Sequence, residues 1–344
     1  MKRTLLFLLT LLIVSMLAAC GSVATQTTQP IPAATEEPAP AEEPFRVAVV
    51  MPSAINDLAF SQSMYDALVD IQTASGGPEK FELVYSDGMF VVEDAAAAIR
   101  DYATQGYNLI IAHGSQYGAS LQEIAPDFPE TSFAWGTAGD TFGLPNVFAY
   151  EAFSQEGGYV NGVMAASLST SGVIGVVGPI EVGDAKLYVD GFKAGALATK
   201  PDIQVNVNYI GSFSDVALAS EAARTHADAG ADVMTGSAQM VVGAIGVAEE
   251  NGLLWFGTQS DQASLAPTNV VASQVYNWTV VVNDIIAQMK AGTLGGTAYA
   301  VSLENGGLVM AFNPQYNLPA EVKALADATI QGIIDGSITI TLGE

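Results

Sequence analysis

The chain has 344 residues, enough for one large domain or two of about 150 residues each. Half of it is hydrophobic and only 14% is charged, with 36 acidic residues against 11 basic ones and a net charge of −25; this excludes a nucleic-acid binder, which needs a basic footprint, and charge-driven docking on anionic lipid. One cysteine, Cys20, and two histidines, His113 and His226, exclude a disulfide framework and a metal site built from several cysteines or histidines.

In chain order, a short basic start (Met1-Lys2-Arg3) precedes an apolar run over residues 4–16 and then Leu17-Ala18-Ala19-Cys20-Gly21. A basic end, a short apolar core and small residues before a cleavage point make an export signal. The run is too short to span a membrane comfortably. Leu-Ala-Ala-Cys resembles the bacterial lipobox, in which cleavage precedes a cysteine that is then acylated. The resemblance implies a signal peptide over 1–19 and a lipid anchor at Cys20. Several acyl chains, at about 0.8 kcal/mol per buried CH2, hold a protein firmly on a membrane. Residues 21–44 contain five prolines and four glutamates and no aromatic, Lys or Arg. Such a stretch cannot bury a core, so 20–44 is expected to be a disordered, extended tether. Its Glu36-Glu37 and Glu42-Glu43 pairs are expected to be solvated charge, not metal ligands.

From residue 45 the pattern alternates. Strands are predicted over 45–51, 81–85, 108–112 and 131–135, with helices over 57–73, 91–105 and 121–128 between them. The rhythm changes around 146–150. It restarts with helices over 155–169, 185–199, 216–229, 241–250 and 278–291. Strands over 173–177, 204–209, 231–235, 253–257 and 270–275 accompany them. Beyond 291 no element is assigned. Continuous apolar strands alternating with amphipathic helices mean parallel sheets covered on both faces. Two runs of that pattern predict two doubly wound α/β lobes.

Ligands of such sheets sit beyond the carboxyl ends of the strands. The informative segments are therefore 52–60, 87–90, 113–117, 136–142, 178–188, 211–215, 236–242, 258–261 and 276–278. They are rich in Gly, Ser, Gln, Asp and aromatics, and Lys186 is their one Lys or Arg. Neither a GxxxxGK[ST] loop, nor a GxGxxG after a strand, nor a G-x-S-x-G elbow occurs in the sequence. His113, ending a strand before Gly114, is a candidate for the cleft wall; His226, within a helix, is expected at the surface. Asn277-Trp278-Thr279 matches a glycosylation sequon, which has no bearing on a bacterial lipoprotein.

Four stretches carry a family resemblance. They are Ile55-Asn56-Asp57-Leu58-Ala59-Phe60-Ser61-Gln62, Tyr188-Val189-Asp190-Gly191-Phe192-Lys193-Ala194-Gly195, and Tyr209-Ile210-Gly211-Ser212-Phe213-Ser214-Asp215. The fourth combines Ser260-Asp261-Gln262, Leu265-Ala266-Pro267 and Ala272-Ser273. In this order, after a lipobox, the chain from Phe45 onward resembles the basic membrane protein family of ABC-transporter solute-binding lipoproteins, whose best-known members bind purine nucleosides. The resemblance implies a periplasmic-binding-protein type I fold with two lobes hinged around one cleft. It places 45–152 plus about 276–307 in an N-terminal lobe and 153–275 plus about 308–344 in a C-terminal lobe.

It also implies a purine held between two aromatic rings, one from each lobe, matched here by Phe60 and Tyr188. Ring stacking adds about 0.5–1.5 kcal/mol per pair beyond area burial. Candidates for the polar rim of the base are Asn56, Asp57, Ser115, Gln116, Gln239, Gln259 and Asp261, with Trp135 and Tyr276 at the sides. Structural roles compete at several positions: helix capping for Asp57, loop fixing for Asp261, lobe packing for Trp135, core packing for Phe60 and Tyr188. Three departures matter. Met51, Gln259 and Tyr276 stand where nucleoside-binding members carry Asp, Asp and Lys. Tyr276-Asn277-Trp278, with Glu304-Asn305-Gly306-Gly307 downstream, is similar to the branch that binds free bases.

The expected function is an extracytoplasmic, lipid-anchored, monomeric receptor that captures a purine, the free base above all, and hands it to an ABC permease. No enzymatic activity, cofactor, metal or nucleic-acid partner is expected. A purine nucleoside as ligand, or a solute-sensing surface lipoprotein without a transport role, are the alternatives. A nucleoside hydrolase would want calcium-binding aspartates after the first strand, where Met51-Pro52-Ser53-Ala54 offers none.

Overall fold

The computed structural model describes residues 43–343. The expected signal peptide, Cys20 and all but the end of the expected tether lie outside the described residues. In chain order the first half builds β1 (Phe45–Val50), α1 (Phe60–Ala74), β2 (Phe81–Ser86), α2 (Val92–Thr104), β3 (Leu109–His113), α3 (Gly118–Ile124), β4 (Ser132–Gly136) and β5 (Val147–Ala152). The chain continues as α4 (Gln155–Leu168), β6 (Val173–Gly178), α5 (Gly183–Thr199), β7 (Gln204–Tyr209), α6 (Val216–Asp228), β8 (Val233–Gly236), α7 (Val241–Glu250), β9 (Leu254–Gln259) and β10 (Val270–Tyr276). It closes with α8 (Thr279–Lys290), β11 (Ala298–Val301), β12 (Leu308–Phe312) and α9 (Ala320–Ile334).

The strands form two six-stranded sheets, ordered β11-β5-β4-β3-β1-β2 and β12-β10-β9-β8-β6-β7. All neighbours in the first sheet are parallel. In the second, only β12 runs antiparallel, against β10. Central strands such as β3 are buried along their whole length, which is why they read as unbroken apolar runs. The tail elements escaped the sequence pattern. β11 and β12 are short edge strands, mostly half-exposed or exposed, and follow after the regular strand–helix alternation has ended.

Two local expectations are corrected. Helix α1 begins at Phe60, not at residue 57, because the Asp57 side chain binds backbone N–H groups of the following turn. His226 is not a surface residue. It is 2% exposed, and its Nε2 donates to the Val176 carbonyl at 3.1 Å. The imidazole fits because β6 carries Gly175 beneath it; a Cβ there would lie 2.6 Å from the His226 Cβ. Burial pushes the His226 pKa down, a trend the Val176 bond opposes.

Helices α4 and α5 pack backbone to backbone. A Cβ at Gly162 would fall 2.0 Å from the Phe192 carbonyl oxygen, and one at Gly195 would fall 2.1 Å from that of Tyr159. Because α4 follows directly on β5 of the first sheet, this close contact fixes the second lobe at its entry point. Replacing Gly195 by Ala is therefore expected to overpack the contact and cost about 1–3 kcal/mol. Urea unfolding should show a lower midpoint with an unchanged slope; an unaltered midpoint would mean that the helices part without strain.

Candidate functional site

The carboxyl ends of both sheets face one cavity, whose atom-free space of about 440 Å³ includes open solvent. The first sheet contributes Pro52 after β1, Phe60 at the start of α1, Ser115 and Gln116 after β3, and Thr137 after β4. The second contributes Val182 to Ala185 after β6, Phe213 after β7, Ala238 and Gln239 after β8, and Gln259 at the end of β9. Crossover connections in parallel sheets bring the chain back to the opposite edge, so the loops at this end are free to form a site.

Phe60 is held from behind. Its ring stacks on His113 with centroids 3.8 Å apart and planes 10° apart. His113 is fully buried, its Nε2 lies 3.1 Å from the Phe60 carbonyl oxygen and its Nδ1 2.8 Å from the Tyr150 hydroxyl. A carbonyl only accepts, so Nε2 carries the proton and Nδ1 accepts from Tyr150. Burial pushes the His113 pKa down to about 3, so the ring is a neutral platform at physiological pH. His113 supports the cavity wall and does not line it.

Asp57 fixes the backbone on which Phe60 sits. Its carboxylate accepts from the N–H groups of Ala59 (2.8 Å), Ser61 (3.1 Å) and Gln62 (3.1 Å) and from the Ser53 hydroxyl. These are N–H groups that a helix start leaves without intrahelical partners. Asp57 is thus a capping residue, spent on the backbone around Phe60. Several bonds cross the cleft: Gln239 Nε2 donates to Ser53 Oγ at 3.0 Å, Ser260 Oγ to the Ala59 carbonyl at 2.8 Å, and Thr137 Oγ1 to Asp184 Oδ1 at 3.0 Å.

Asp184, in the first turn of α5, is the one carboxylate in the cavity wall. Beyond the Thr137 bond, its Oδ2 accepts from the Tyr276 hydroxyl at 2.9 Å and from Gln259 Nε2 at 3.4 Å. Burial pushes the Asp184 pKa up, and these three donors pull it back. Glu151, near the end of β5, responds to it. Burial first and the Asp184 charge second push Glu151 up to about 8, opposed by the Ala152 N–H. Burial favours the protonated form of both carboxyl groups, and at Asp184 its hydrogen-bond donors oppose that trend. Ala238 and Gln259 both have φ of +73°, a strained region for residues other than glycine that is met at ligand sites.

Of the residues singled out from sequence, the structure brings Phe60, Ser115, Gln116, Gln239 and Gln259 into the cavity wall. Tyr276 stands behind Asp184, and Asp57 behind Phe60. Four lie elsewhere. Asn56 is exposed on the approach to α1. Trp135 stacks on Phe142 at 4.6 Å and donates to the Gly114 carbonyl at 3.2 Å. Asp261 is exposed and accepts from the Ala263 N–H at 3.0 Å. Tyr188 requires a correction. It is 0% exposed, with its hydroxyl bonded to Asn161 (2.9 Å) and Thr235 (2.8 Å). It packs inward near Phe192, because it falls on the face of α5 turned to the sheet. The second lobe instead presents Phe213, with Phe90 joining from the first. Phe213, Asp184 and Thr137 were missed as individuals, although each lies in a segment that follows a strand.

Residues 45–341 match the Bmp family, described as ABC transporter substrate-binding protein PnrA-like. A purine-binding protein of Brucella abortus (strain 2308) is 29% identical over 298 residues, which cover 87% of this chain and 83% of that protein. The transcriptional activator protein med of Bacillus subtilis (strain 168) is 29% identical over 271 residues, 78% of this chain and 83% of its own. Among solved structures, an ABC transporter system solute-binding protein from Aeropyrum pernix K1 has a TM-score of 0.74. It is 18% identical and covers 88% of this chain and 94% of that one; the likeness is one of fold, the type I periplasmic-binding architecture.

The Glu151–Asp184 pair gives the fold a pH dependence of known sign. A carboxyl whose pKa rises from 4.5 to about 8 on folding adds stability that is complete below 4.5 and gone above about 8. The melting temperature is expected to fall across that window. Glu151→Gln should flatten the slope and raise the melting temperature at the alkaline end by about 2–4 °C per kcal/mol relieved. A slope equally steep in the variant would assign the effect to another group.

Proposed function

The chain belongs to the Bmp family of ABC-transporter substrate-binding proteins, and on that premise we propose that it captures a purine, preferably the free base, between Phe60 and Phe213 and delivers it to a membrane permease. The observation that carries this reading is the pairing of two phenyl side chains, one after β1 and one after β7, in the wall of one cavity. A purine base has flat apolar faces and a polar rim. The two phenyl groups suit its faces; Ser115, Gln116, Gln239, Gln259 and Asp184 suit its rim. Among the described lining residues none is Lys or Arg, so a phosphorylated nucleotide finds no counter-charge. The name of the Brucella relative is consistent with a purine. The lipobox and the proline-rich tether support anchoring at Cys20 on the outer face of the cell membrane.

Adenine, hypoxanthine, guanine or xanthine should raise the melting temperature, and adenosine or inosine should raise it less. Mass action gives about 2.7 kcal/mol at a ligand concentration of 100 Kd. Phe60→Ala and Phe213→Ala should each weaken binding by about tenfold or more, equivalent to about 1.4 kcal/mol. Tyr188→Phe should lower stability and leave affinity unchanged. If no purine shifts the melting curve, the purine reading fails.

Cys20→Ser should abolish labelling by a radioactive fatty acid and release the protein from washed membranes. Continued retention of that variant would contradict the anchor. A second reading, a solute sensor without a transport role, is favoured by the Bacillus relative named as a transcriptional activator. Purine uptake in cells lacking the protein separates the two: lost uptake means delivery, unchanged uptake means sensing.

A further inference from the structure

We propose that Asp184 and Gln259 form a paired acceptor edge that requires a free imidazole N–H on the ligand, so that Asp184 decides between a purine base and its N9-substituted derivatives. This rests on the purine reading above and refines it. No resemblance in the sequence pointed to Asp184; its place in the cavity wall does.

The bond inventory sets what the pair can do. Asp184 Oδ2 already accepts from Tyr276 and Gln259, whereas Oδ1 accepts from Thr137 alone. A carboxylate oxygen offers two lone pairs, so Oδ1 keeps one open. The bond from Gln259 Nε2 to Asp184 fixes the orientation of the amide and turns its oxygen away from the carboxylate. Gln259 Oε1 is buried and has no hydrogen-bond partner. Among the described side-chain oxygens left in that state, it is the one whose residue lines the cavity. Gln259 is 3% exposed and sits on left-handed backbone. The pair therefore presents two acceptors, Asp184 Oδ1 and Gln259 Oε1, and one of the two amide N–H groups of Gln259 is spent on the carboxyl group.

Such an edge is satisfied by N–H and punished by a bare nitrogen lone pair. A free purine carries an imidazole N–H on N9 or N7. Substitution at N9 removes that proton and leaves N7 as an acceptor only, so the ring meets acceptors with an acceptor. A sugar hydroxyl could donate instead. However, Thr137 and Tyr276 already occupy the flanks of the carboxylate with hydroxyls.

The test is calorimetric titration of the protein with whichever of adenine, hypoxanthine, guanine and xanthine binds most tightly, with its 9-methyl derivative and with its nucleoside. The base is expected to bind about tenfold or more tightly than either. Asp184→Asn should weaken the base by a similar factor and bring the ratio of base to 9-methyl base close to one. If Asp184→Asn does not fold, Gln259→Asn provides the same comparison, since asparagine tolerates left-handed backbone and withdraws the acceptor by one methylene. Equal affinity for base and 9-methyl base, or a ratio unchanged in the variant, overturns the inference and leaves the purine reading standing. A nucleoside that binds most tightly overturns it in favour of the hydroxyl alternative. Absence of any purine binding overturns both.

Discussion

The structure depends on burying one carboxylate where the two lobes meet. Asp184 lies at the start of α5, and its partners come from three places: Thr137 after β4, Gln259 at the end of β9 and Tyr276 at the end of β10. The Ser154 hydroxyl, at the crossing from the first lobe to the second, donates to the Asp184 carbonyl as well. A carboxyl group taken out of water is tolerated when its oxygens are met by hydrogen-bond partners. Here the partners belong to both sheets, so the requirement to satisfy the group also sets the position of one lobe against the other. The floor of the cavity and the junction of the lobes are the same set of bonds.

The aromatic wall follows a similar logic of support. Phe60 would be one rotatable side chain at a helix start if nothing braced it. His113 stacks under it and binds its carbonyl, and Asp57 gathers the N–H groups around it. Both supporting groups are ionisable in principle and neither is available to a ligand. Burial keeps His113 neutral, and backbone bonds absorb Asp57. A polar residue in a promising segment is therefore as readily a brace as a contact, and only the count of its bonds decides.

Much of this was legible in the sequence. The alternation of apolar strands with amphipathic helices specified parallel sheets, and the rule that ligands sit past the strand ends selected the segments that do line the cavity. Ser115, Gln116 and Gln239 lie in segments selected that way, whereas Phe60 and Gln259 were singled out through the family resemblance. The choice within a segment was less secure. Tyr188 and Asp184 lie four residues apart, on one helical stretch. The sequence offered the tyrosine as the contact, and the fold turns it into the sheet while leaving the aspartate at the cavity.

What the sequence by itself determined was periodicity: which stretches are strand or helix, that there are two lobes, and which ends of the strands matter. Hydrophobic patterning encodes these locally, over a turn of helix or a few residues of strand. What only the tertiary structure decided was the partner of each polar group. Whether Asp57 caps a helix, Gln259 braces a carboxylate, or His226 slips over Gly175 depends on atoms brought together from distant parts of the chain. Hydrogen bonds are short and directional, so a shift of an ångström reassigns them, and no local pattern of residues records that distance.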